Sequence, residues 1–293
     1  MERKLKIDFA HVVSEFESVM KKFDLKRIVY RTIFRGKGLE FDRYRDFEPD
    51  EDASSIDWKA SLRANTLLAR QYIEERDLDF YFVVDVSNSM LFGSSDKLKA
   101  EYAAEVVAAL SHLVLNSNDN AGLIMWTDKA VKVLLPSNST NQIYLINNCL
   151  ADLESYGGNF NFEGMIEFLL RLIKSSSVVI LVSDFIHLNK SSGDPLKVLS
   201  AKFETMAIMV RDLLDEGIPS NMPQLVLKDP YSNNQILVDP KIASGRYGIS
   251  TLRQKHLVEK LFLDSNIDLL GLTTNKSPIV PLVSFLKQRI SRR

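Results

Sequence analysis

Short apolar runs alternate with helical patterns from residue 78 onward, and this alternation limits the folds that are open to the chain. The runs at 80–84 and 178–184 have the length and apolar content of buried strands. After the first run, residues 97–115 carry apolar side chains at helical spacing with many alanines between them. Strands that alternate with helices build a mostly parallel sheet with helices on both faces. The sequence therefore predicts an α/β domain over residues 78–293.

The same patterns predict the remaining elements of this domain. They comprise paired strands at 121–127 and 130–135, helices on either side of the loop "ESYGGNFN", a strand at 205–210, a hairpin turning at 231–234, a helix at about 250–263, a strand at 267–274 and a last helix from Pro278. Ser277 is suited to cap that last helix, and Pro278 suits its first turn.

Residues 1–77 follow a different pattern and are predicted to form a small N-terminal module. A helix is expected at 8–22, and residues 35–76 then mix many acidic and basic side chains. Aromatic side chains are interleaved with these charges, and such side chains are expected to pack: Phe41, Tyr44, Phe47, Trp58 and Tyr72. We therefore predict a β-rich module of short strands and turns.

Composition argues against several functional classes. The 293 residues include 37 basic and 38 acidic side chains, a net charge of -1, which argues against a nucleic-acid-binding surface. No apolar run approaches the roughly 18 residues that a membrane span requires, so a soluble chain without a transmembrane segment is expected. The single Cys149 cannot form an internal disulfide and is expected to be a structural thiol of a cytoplasmic protein.

Oxygen-bearing side chains cluster where two predicted strands end. Asp85, Ser87 and Ser89 follow the run "FYFVV", and Asp184 ends the run "VVILVSD". In an α/β sheet, ligands bind outside the carboxyl ends of the strands, so neighbouring strands would bring both carboxylates into one crevice. Two close carboxylates repel each other unless a proton or a cation lies between them. Such oxygens favour a hard cation, Mg²⁺ before Ca²⁺.

A third source of ligands is expected from the loop "YGGNFN". Its glycines allow close approach of the backbone, and Asn159 or Asn161 offers an amide oxygen. An interpretation without an ion is also open. In that interpretation Asp85 and Ser87 form a turn, and Asp184 caps the following helix.

The enzymatic alternative is a metal-dependent hydrolase or phosphatase that uses Asp85 and Asp184. Phosphoryl-transfer enzymes with a nucleophilic strand-end aspartate place an acidic partner two residues later, where this chain has Ser87, which cannot act as a general acid. The sequence has no phosphate-binding loop of the G-x-x-x-x-G-K-[ST] type. The histidines are scattered, and His187 is the one kept as a candidate for the rim of the site. These observations weaken the enzymatic alternative.

The D-x-S-x-S motif at Asp85, Ser87 and Ser89 resembles the metal-ion-dependent adhesion site of von Willebrand factor A domains. The segment before it is more specific. Within residues 36–93, the stretches "GKGLEF", "IDWKASLR" and "EERD" resemble the G-x-G-x-E-F, I-D-W-x-x-S-x-R and E-R-x-x series of the bacterial and archaeal family called domain of unknown function 58. In that family the series directly precedes a von Willebrand factor A-like core.

The resemblance implies a von Willebrand factor A-like fold and assigns candidate metal ligands. It places Asp85, Ser87 and Ser89 in a first metal loop, Asn159 in a second and Asp184 in a third. The family usually reads G-G-T in the second loop, so Asn159 stands in the place of threonine, and an amide oxygen can replace a hydroxyl as a ligand. Mg²⁺ is the expected cofactor, with Mn²⁺ or Ca²⁺ as alternatives.

Sites of this kind imply binding rather than catalysis. The protein leaves one coordination position open, and a partner protein supplies a carboxylate to fill it. Members of the family resemble products encoded beside MoxR-type AAA+ ATPases, which implies a cytoplasmic adaptor or maturation factor that works with such an ATPase. A metal-free scaffold that interacts through surface contacts is a further alternative.

Overall fold

The computed structural model describes residues 5–22, 40–47, 53–73, 78–174, 177–218, 223–228 and 235–291. Within these ranges the strands are β1 (Glu40–Asp46), β2 (Leu68–Ile73), β3 (Asp79–Asp85), β4 (Asn120–Trp126), β5 (Ala130–Ser137), β6 (Val178–Ser183), β7 (Glu204–Arg211), β8 (Leu225–Lys228), β9 (Gln235–Val238) and β10 (Asp268–Thr273). The α-helices there are α1 (Phe9–Lys22), α2 (Trp58–Ala64), α3 (Lys99–Leu115), α4 (Gln142–Ala151), α5 (Phe162–Leu172), α6 (Gly193–Lys202), α7 (Leu213–Glu216), α8 (Pro240–Asp264) and α9 (Ile279–Ser291). None of these described helices combines the length and apolar composition needed to cross a membrane.

A six-stranded sheet forms the centre of the described structure, in the order β10-β7-β6-β3-β4-β5. Neighbouring strands are parallel except at the edge, where β5 turns back antiparallel to β4. The chain first builds outward from β3 through β4 and β5, and then returns to the other side of β3 with β6. The strand order therefore reverses between β3 and β6. The predicted α/β class with a mostly parallel sheet is confirmed.

Successive side chains along each strand point to opposite faces of the sheet, and this divides the core into two layers, one on each face. In β3, Phe80, Phe82 and Val84 belong to one layer, whereas Tyr81 and Val83 belong to the other. The first layer includes side chains of α1, α3, α4 and α9, and the second includes side chains of α5, α6 and α8. Because successive side chains point to opposite faces of a strand, helices on both sides bury β3 almost completely.

Most predicted elements correspond to observed ones. The runs at 80–84, 178–184 and 205–210 form β3, β6 and β7, and β4 pairs with β5 as expected. β8 and β9 also pair antiparallel, while the turn predicted at 231–234 lies outside the described residues. The helix α6 was missed because its first turn, residues 193–195, reads Gly-Asp-Pro, which is typical of loops. The helix α8 begins at Pro240, well before the predicted start.

The N-terminal helix α1 is part of the main core. Its buried side chains Val12, Phe16 and Met20 lie in the layer that also contains α3 and α9. A helix at this place was expected, but its packing was not. The division into residues 1–77 and 78–293 stays a prediction, and the structure adds that α1 shares its core with the second of these regions.

The charged segment contains an antiparallel strand pair, β1 and β2, with the helix α2 between them in sequence. Asp57 begins α2: its Oδ1 accepts hydrogen bonds from the backbone N–H groups of Lys59 and Ala60. The Tyr44 hydroxyl donates to Asp57 Oδ2 at 3.1 Å. Trp58 is 61% exposed, so the packing expected of these aromatic side chains is not found at this position. The prediction of strands and turns missed the helix.

The last helix, α9, lies beside the first. Ser277 Oγ accepts a hydrogen bond from the Ile279 N–H at 3.4 Å, so the predicted cap is confirmed. The same hydroxyl donates to Glu15 Oε1 of α1 at 3.0 Å. Leu282 and Leu286 of α9 are buried in the core layer that α1 also enters. The two ends of the described chain are thus joined in one layer.

Candidate metal centre

The candidate site lies where the strand order of the sheet reverses. β3 ends at Asp85, β6 ends at Ser183 and is followed by Asp184, and the two strands are parallel neighbours. The carboxyl ends of parallel neighbours open at the same edge of the sheet, so the condition for a shared crevice is met. Both carboxylates are almost fully buried, with exposed fractions of 2% for Asp85 and 0% for Asp184.

A chain of hydrogen bonds joins the residues at the two strand ends. Asp85 Oδ1 accepts a hydrogen bond from the Ser87 backbone N–H at 2.9 Å. The hydroxyl oxygens of Ser87 and Ser89 are 3.2 Å apart, and the Ser89 side chain helps to lower the pKa of Asp184. Ser183 donates from Oγ to Asp85 Oδ2 at 2.6 Å. The structure thus brings together Asp85, Ser87, Ser89 and Asp184, which we call the acidic cluster.

Turn and cap chemistry explains part of this geometry. The contact between Asp85 and the Ser87 N–H is the turn that the ion-free interpretation predicts. Asp184 Oδ1 accepts the Ile186 N–H at 3.1 Å, which closes a turn but caps no helix. Ser87 precedes a short 3₁₀ helix, yet its hydroxyl makes no capping bond and faces Ser89 instead. The paired hydroxyls are therefore left unexplained by turn and cap chemistry.

A buried lysine contacts the same cluster. Lys99 begins α3 and is 1% exposed. Its Nζ donates to Asp184 Oδ2 and to Asp215 Oδ2, each at 2.8 Å, and lies 5.6 Å from the centre of the Phe92 ring. A buried charge is stable only when it is paired and hydrogen-bonded. Lys99 is therefore an internal cation at one of the carboxylates that the resemblance assigns to a metal.

The buried carboxylates Asp85, Asp184 and Asp215 differ in how far neighbouring groups offset the effect of burial on their pKa values. Burial, and then the charge of Asp184, raise the pKa of Asp85 to about 7. Burial acts in the same direction on Asp184, but the Lys99 ammonium and the hydrogen bonds to Asp184 outweigh it and hold the pKa of Asp184 below its usual value. Burial raises the pKa of Asp215 against the opposing effect of Lys99. Positive charge near Asp85 therefore does not offset the effect of burial on its pKa, as Lys99 does for Asp184.

Further contacts fix the segments that carry these groups. Asp212 accepts a hydrogen bond from the Ser94 backbone N–H at 2.9 Å, which ties the loop before α3 to the end of β7. The Asp212 backbone N–H donates to Asp215 Oδ2 at 3.0 Å. Arg211 Nε donates to the backbone oxygen of Asp184 at 3.2 Å. Lys99 and both of its carboxylate partners therefore sit on segments that are hydrogen-bonded to one another.

Ser183, Lys99 and Asp215 belong to the surroundings of the acidic cluster and were not predicted from the sequence. Ser183 directly precedes Asp184, and its place in the same buried run was the available signal. Lys99 lies 85 positions from Asp184 and 116 positions from Asp215, so no local pattern pairs them. Their proximity is a property of the folded sheet.

The loop predicted to supply a further ligand docks on the loop that follows β3. The Gly157 N–H donates to the Val86 oxygen at 2.8 Å, and the Asn88 N–H donates to the Gly158 oxygen at 3.0 Å. Gly157 and Gly158 have φ angles of 133° and 82°, in a region that glycine adopts without strain. The glycines therefore serve the close backbone approach that the sequence predicted.

The two asparagines of this loop have different surroundings. Asn159 is exposed, and its assignment as a metal ligand stays a prediction. Asn161 caps α5, because its Oδ1 accepts a hydrogen bond from the Gly164 N–H at 3.0 Å. The amide oxygen of Asn161 is thus used within the protein.

His187 and Cys149 were also singled out from the sequence. His187 is exposed, and its ring centre is 6.1 Å from that of Phe160, which follows the glycine loop. Cys149 is half-buried beside the core layer of α3, and burial raises the pKa of its thiol. Its surroundings agree with a structural thiol.

The oxygens of the acidic cluster fit a hard divalent cation. Carboxylate and hydroxyl oxygens are ligands that Mg²⁺ and Mn²⁺ accept. Among the described residues, no group of three or more His, Cys, Asp and Glu side chains is placed to hold a metal, so an ion here depends on Ser87 and Ser89 as well. A cation beside Asp85 would oppose the effects of burial and of the Asp184 charge, which raise the pKa of Asp85.

Comparison with protein-family models identifies the family. The model described as "Protein of unknown function DUF58" matches residues 43–259, which is more than half of the chain. The chain belongs to the DUF58 family. The resemblance to this family, which the motifs within residues 36–93 indicated, is confirmed.

Relatives of this DUF58 chain include the uncharacterized proteins Mb1516 of Mycobacterium bovis and Rv1480 of Mycobacterium tuberculosis. Each is 24% identical over 259 residues, which cover 87% of this chain and 80% of the relative. Solved structures that match include the conserved hypothetical protein BatB from Bacteroides thetaiotaomicron, with 12% identity and a TM-score of 0.48. An aerotolerance-related membrane protein from Bacteroides fragilis matches with 13% identity and a TM-score of 0.47. Both structural matches cover 74% of this chain and 100% of the other.

Proposed function

We propose that this DUF58 protein is a non-catalytic protein-interaction domain whose binding depends on a divalent metal ion, Mg²⁺ or Mn²⁺. The observation that carries the proposal is the convergence of Asp85, Ser87, Ser89 and Asp184 at the point where the strand order reverses. Ligand sites of open α/β sheets lie at such points. The resemblance of the D-x-S-x-S motif to metal-ion-dependent adhesion sites supports a protein-interaction domain.

The residues of the acidic cluster have separate roles in this proposal. Asp85, Ser87, Ser89 and Asp184 would hold the ion, and Asn159 is the candidate ligand from the neighbouring loop. Ser183 fixes the Asp85 carboxylate through its 2.6 Å hydrogen bond. When bound, the ion would offer a coordination position to a carboxylate of the partner, so recognition would depend on that acid.

The partner in this proposal is a cytoplasmic protein that donates a carboxylate to the metal, and a MoxR-type AAA+ ATPase is the candidate. The family resemblance supports this partner class. The domain would then act as an adaptor or maturation factor for the ATPase. Catalysis is not part of the proposal, because the position two residues after Asp85 is Ser87, which cannot serve as the general acid of phosphoryl transfer.

Calorimetric titration of Mg²⁺ and Mn²⁺ into the chelator-treated chain tests the metal dependence. Saturable binding is expected for the wild type and no binding for Asp85→Ala. Asp194→Asn is the matched control, since its carboxylate is 93% exposed and lies on α6, and it should bind as the wild type does. Binding that survives in Asp85→Ala would contradict the assignment of the acidic cluster.

Pull-down of a purified MoxR-type ATPase from the same source tests the partner. Association is expected in Mg²⁺, and its loss is expected in excess chelator or with Asp85→Ala. Association that is equal under all three conditions would contradict metal-dependent recognition.

A metal-free interaction scaffold is the second candidate, and one observation favours it. The Lys99 ammonium already neutralises Asp184 at 2.8 Å, so the cluster does not need a metal to hold that carboxylate in the folded state. Partner binding without any metal binding in the calorimeter would establish this candidate in place of the first.

A further inference from the structure

Lys99 lies at a position that is unfavourable for a cation unless neighbouring acidic side chains pair with it. It is the first residue of α3, where the backbone N–H groups form the positive end of the helix dipole. Its side chain is 1% exposed, so the ammonium group has lost most of its contact with water. Asp184 and Asp215 compensate for this desolvation, each at 2.8 Å.

The two carboxylates differ in their other contacts. Asp184 belongs to the acidic cluster, and both of its oxygens are engaged, Oδ1 by the Ile186 N–H and Oδ2 by Lys99. Asp215 lies outside the cluster on α7, where its Oδ2 accepts the Asp212 backbone N–H as well as Lys99. Lys99 can therefore release Asp184 and still keep a carboxylate partner.

We infer that Lys99 is a displaceable internal cation that competes with the divalent ion for Asp184, and that Asp215 is the partner to which it withdraws when the ion binds. The inference rests on the proposed metal-dependent function and concerns its regulation. Lys99 lowers the metal affinity because it occupies Asp184. Asp215 raises the affinity because it gives the displaced ammonium another partner.

Because of this competition, a metal ion binds only if its interaction with the site outweighs the ion pair between Lys99 and Asp184. Without a metal, the ion pair keeps Asp184 satisfied in its buried position. A divalent ion must supply enough interaction energy to displace the ammonium group. A carboxylate donated by a partner adds to that energy, so partner and metal bind cooperatively.

Calorimetric titration of Mn²⁺ into the chelator-treated full chain tests the inference with a matched set of variants. Lys99→Met removes the charge at similar side-chain length, and binding about tenfold tighter is expected. Asp215→Asn removes the second partner, and binding several-fold weaker is expected. In the double variant the Asp215 substitution should have no effect, because no ammonium remains to be relocated. Lys97→Met, which breaks the ion pair with Glu105, is the control and should bind as the wild type does.

Each outcome decides the inference. Equal or weaker binding by Lys99→Met overturns it and leaves the proposed function intact. Absence of Mn²⁺ binding in both Lys99→Met and wild type overturns both. Binding by Lys99→Met alone supports the inference and contradicts metal binding by the isolated wild-type chain.

The Asp215 variants separate relocation from ordinary electrostatics. If Asp215→Asn weakens binding equally with and without Lys99, the loss of a nearby negative charge accounts for the effect and the relocation is refuted. If circular dichroism shows that Lys99→Met does not fold, Asp215→Asn still decides: unchanged or tighter Mn²⁺ binding by this variant overturns the inference.

Discussion

Replacing Asp85 with asparagine is expected to stabilise the metal-free protein near neutral pH. The fold raises the pKa of this carboxyl from 3.8 to about 7, through burial and the charge of Asp184. Between these values the native state keeps a proton that the unfolded state releases, so the metal-free wild type loses stability as pH rises through the window. Above the native pKa the loss is complete. Asparagine does not titrate, so the variant lacks this loss.

The magnitude follows from the two pKa values. Each pH unit between them costs the wild-type native state about 1.4 kcal/mol, or ~4 kcal/mol over the whole window. From about pH 5 to about pH 8 the variant should therefore gain ~3 kcal/mol relative to the wild type. Asparagine retains the hydrogen bond from the Ser87 N–H, but its amide must donate to Ser183. This change of hydrogen bond alters the free energy of unfolding of the variant by the same amount at about pH 5 and at about pH 8, because neither the asparagine amide nor the Ser183 hydroxyl titrates in this range.

Urea unfolding in excess chelator, repeated across this pH range, measures the effect. Asp194→Asn is the control and should follow the wild type at every pH, because its carboxylate is exposed. A difference between Asp85→Asn and wild type that changes by less than about 1 kcal/mol across the range would refute the reasoning. Saturating Mg²⁺ should reverse the order, since only the wild type gains stability from the bound ion.

Three further substitutions test the fold around the site. Phe16→Ala should lower the free energy of unfolding by about 3–5 kcal/mol in urea titrations, because α1 packs in the core; a loss under about 1 kcal/mol would contradict that packing. Asn161→Ala should lower it by about 1 kcal/mol through the lost cap of α5 and leave Mn²⁺ affinity unchanged in the calorimeter. Gly158→Ala should lower it by about 1–3 kcal/mol through backbone strain at φ 82°, since the added methyl group meets only Thr127 at 3.9 Å; full stability would contradict the observed loop conformation.

The strands and the strand-end carboxylates could be predicted because their signal is local. Each central strand is a nearly continuous apolar run, and such runs are typical of parallel strands buried on both faces. Asp85 and Asp184 terminate two of these runs, and the carboxyl ends of parallel strands share one edge. The sequence alone therefore predicts that both acids lie at that edge of the sheet.

The cation of the site could not be predicted in this way. Lys99 stands in a helix whose pattern shows which side chains are apolar, but the pattern does not show that one charged side chain turns inward. Its partners come from segments far along the chain, so the pairing depends on the positions of β6 and α7. The helix α6 and the first half of α8 were not predicted for a different reason. Their sequences contain glycine and proline, which are typical of loops.

The side-by-side packing of the first and last helices affects how the chain is made. Glu15 and Ser277, which are hydrogen-bonded in the folded protein, are 262 positions apart. Ribosomes add about 5–20 residues per second, so roughly 13–50 s separate the synthesis of these two residues. During that time Val12, Phe16 and Met20 lack the α9 side chains that complete their layer. The nascent protein therefore leaves part of the apolar face of α1 uncovered until α9 has been synthesised.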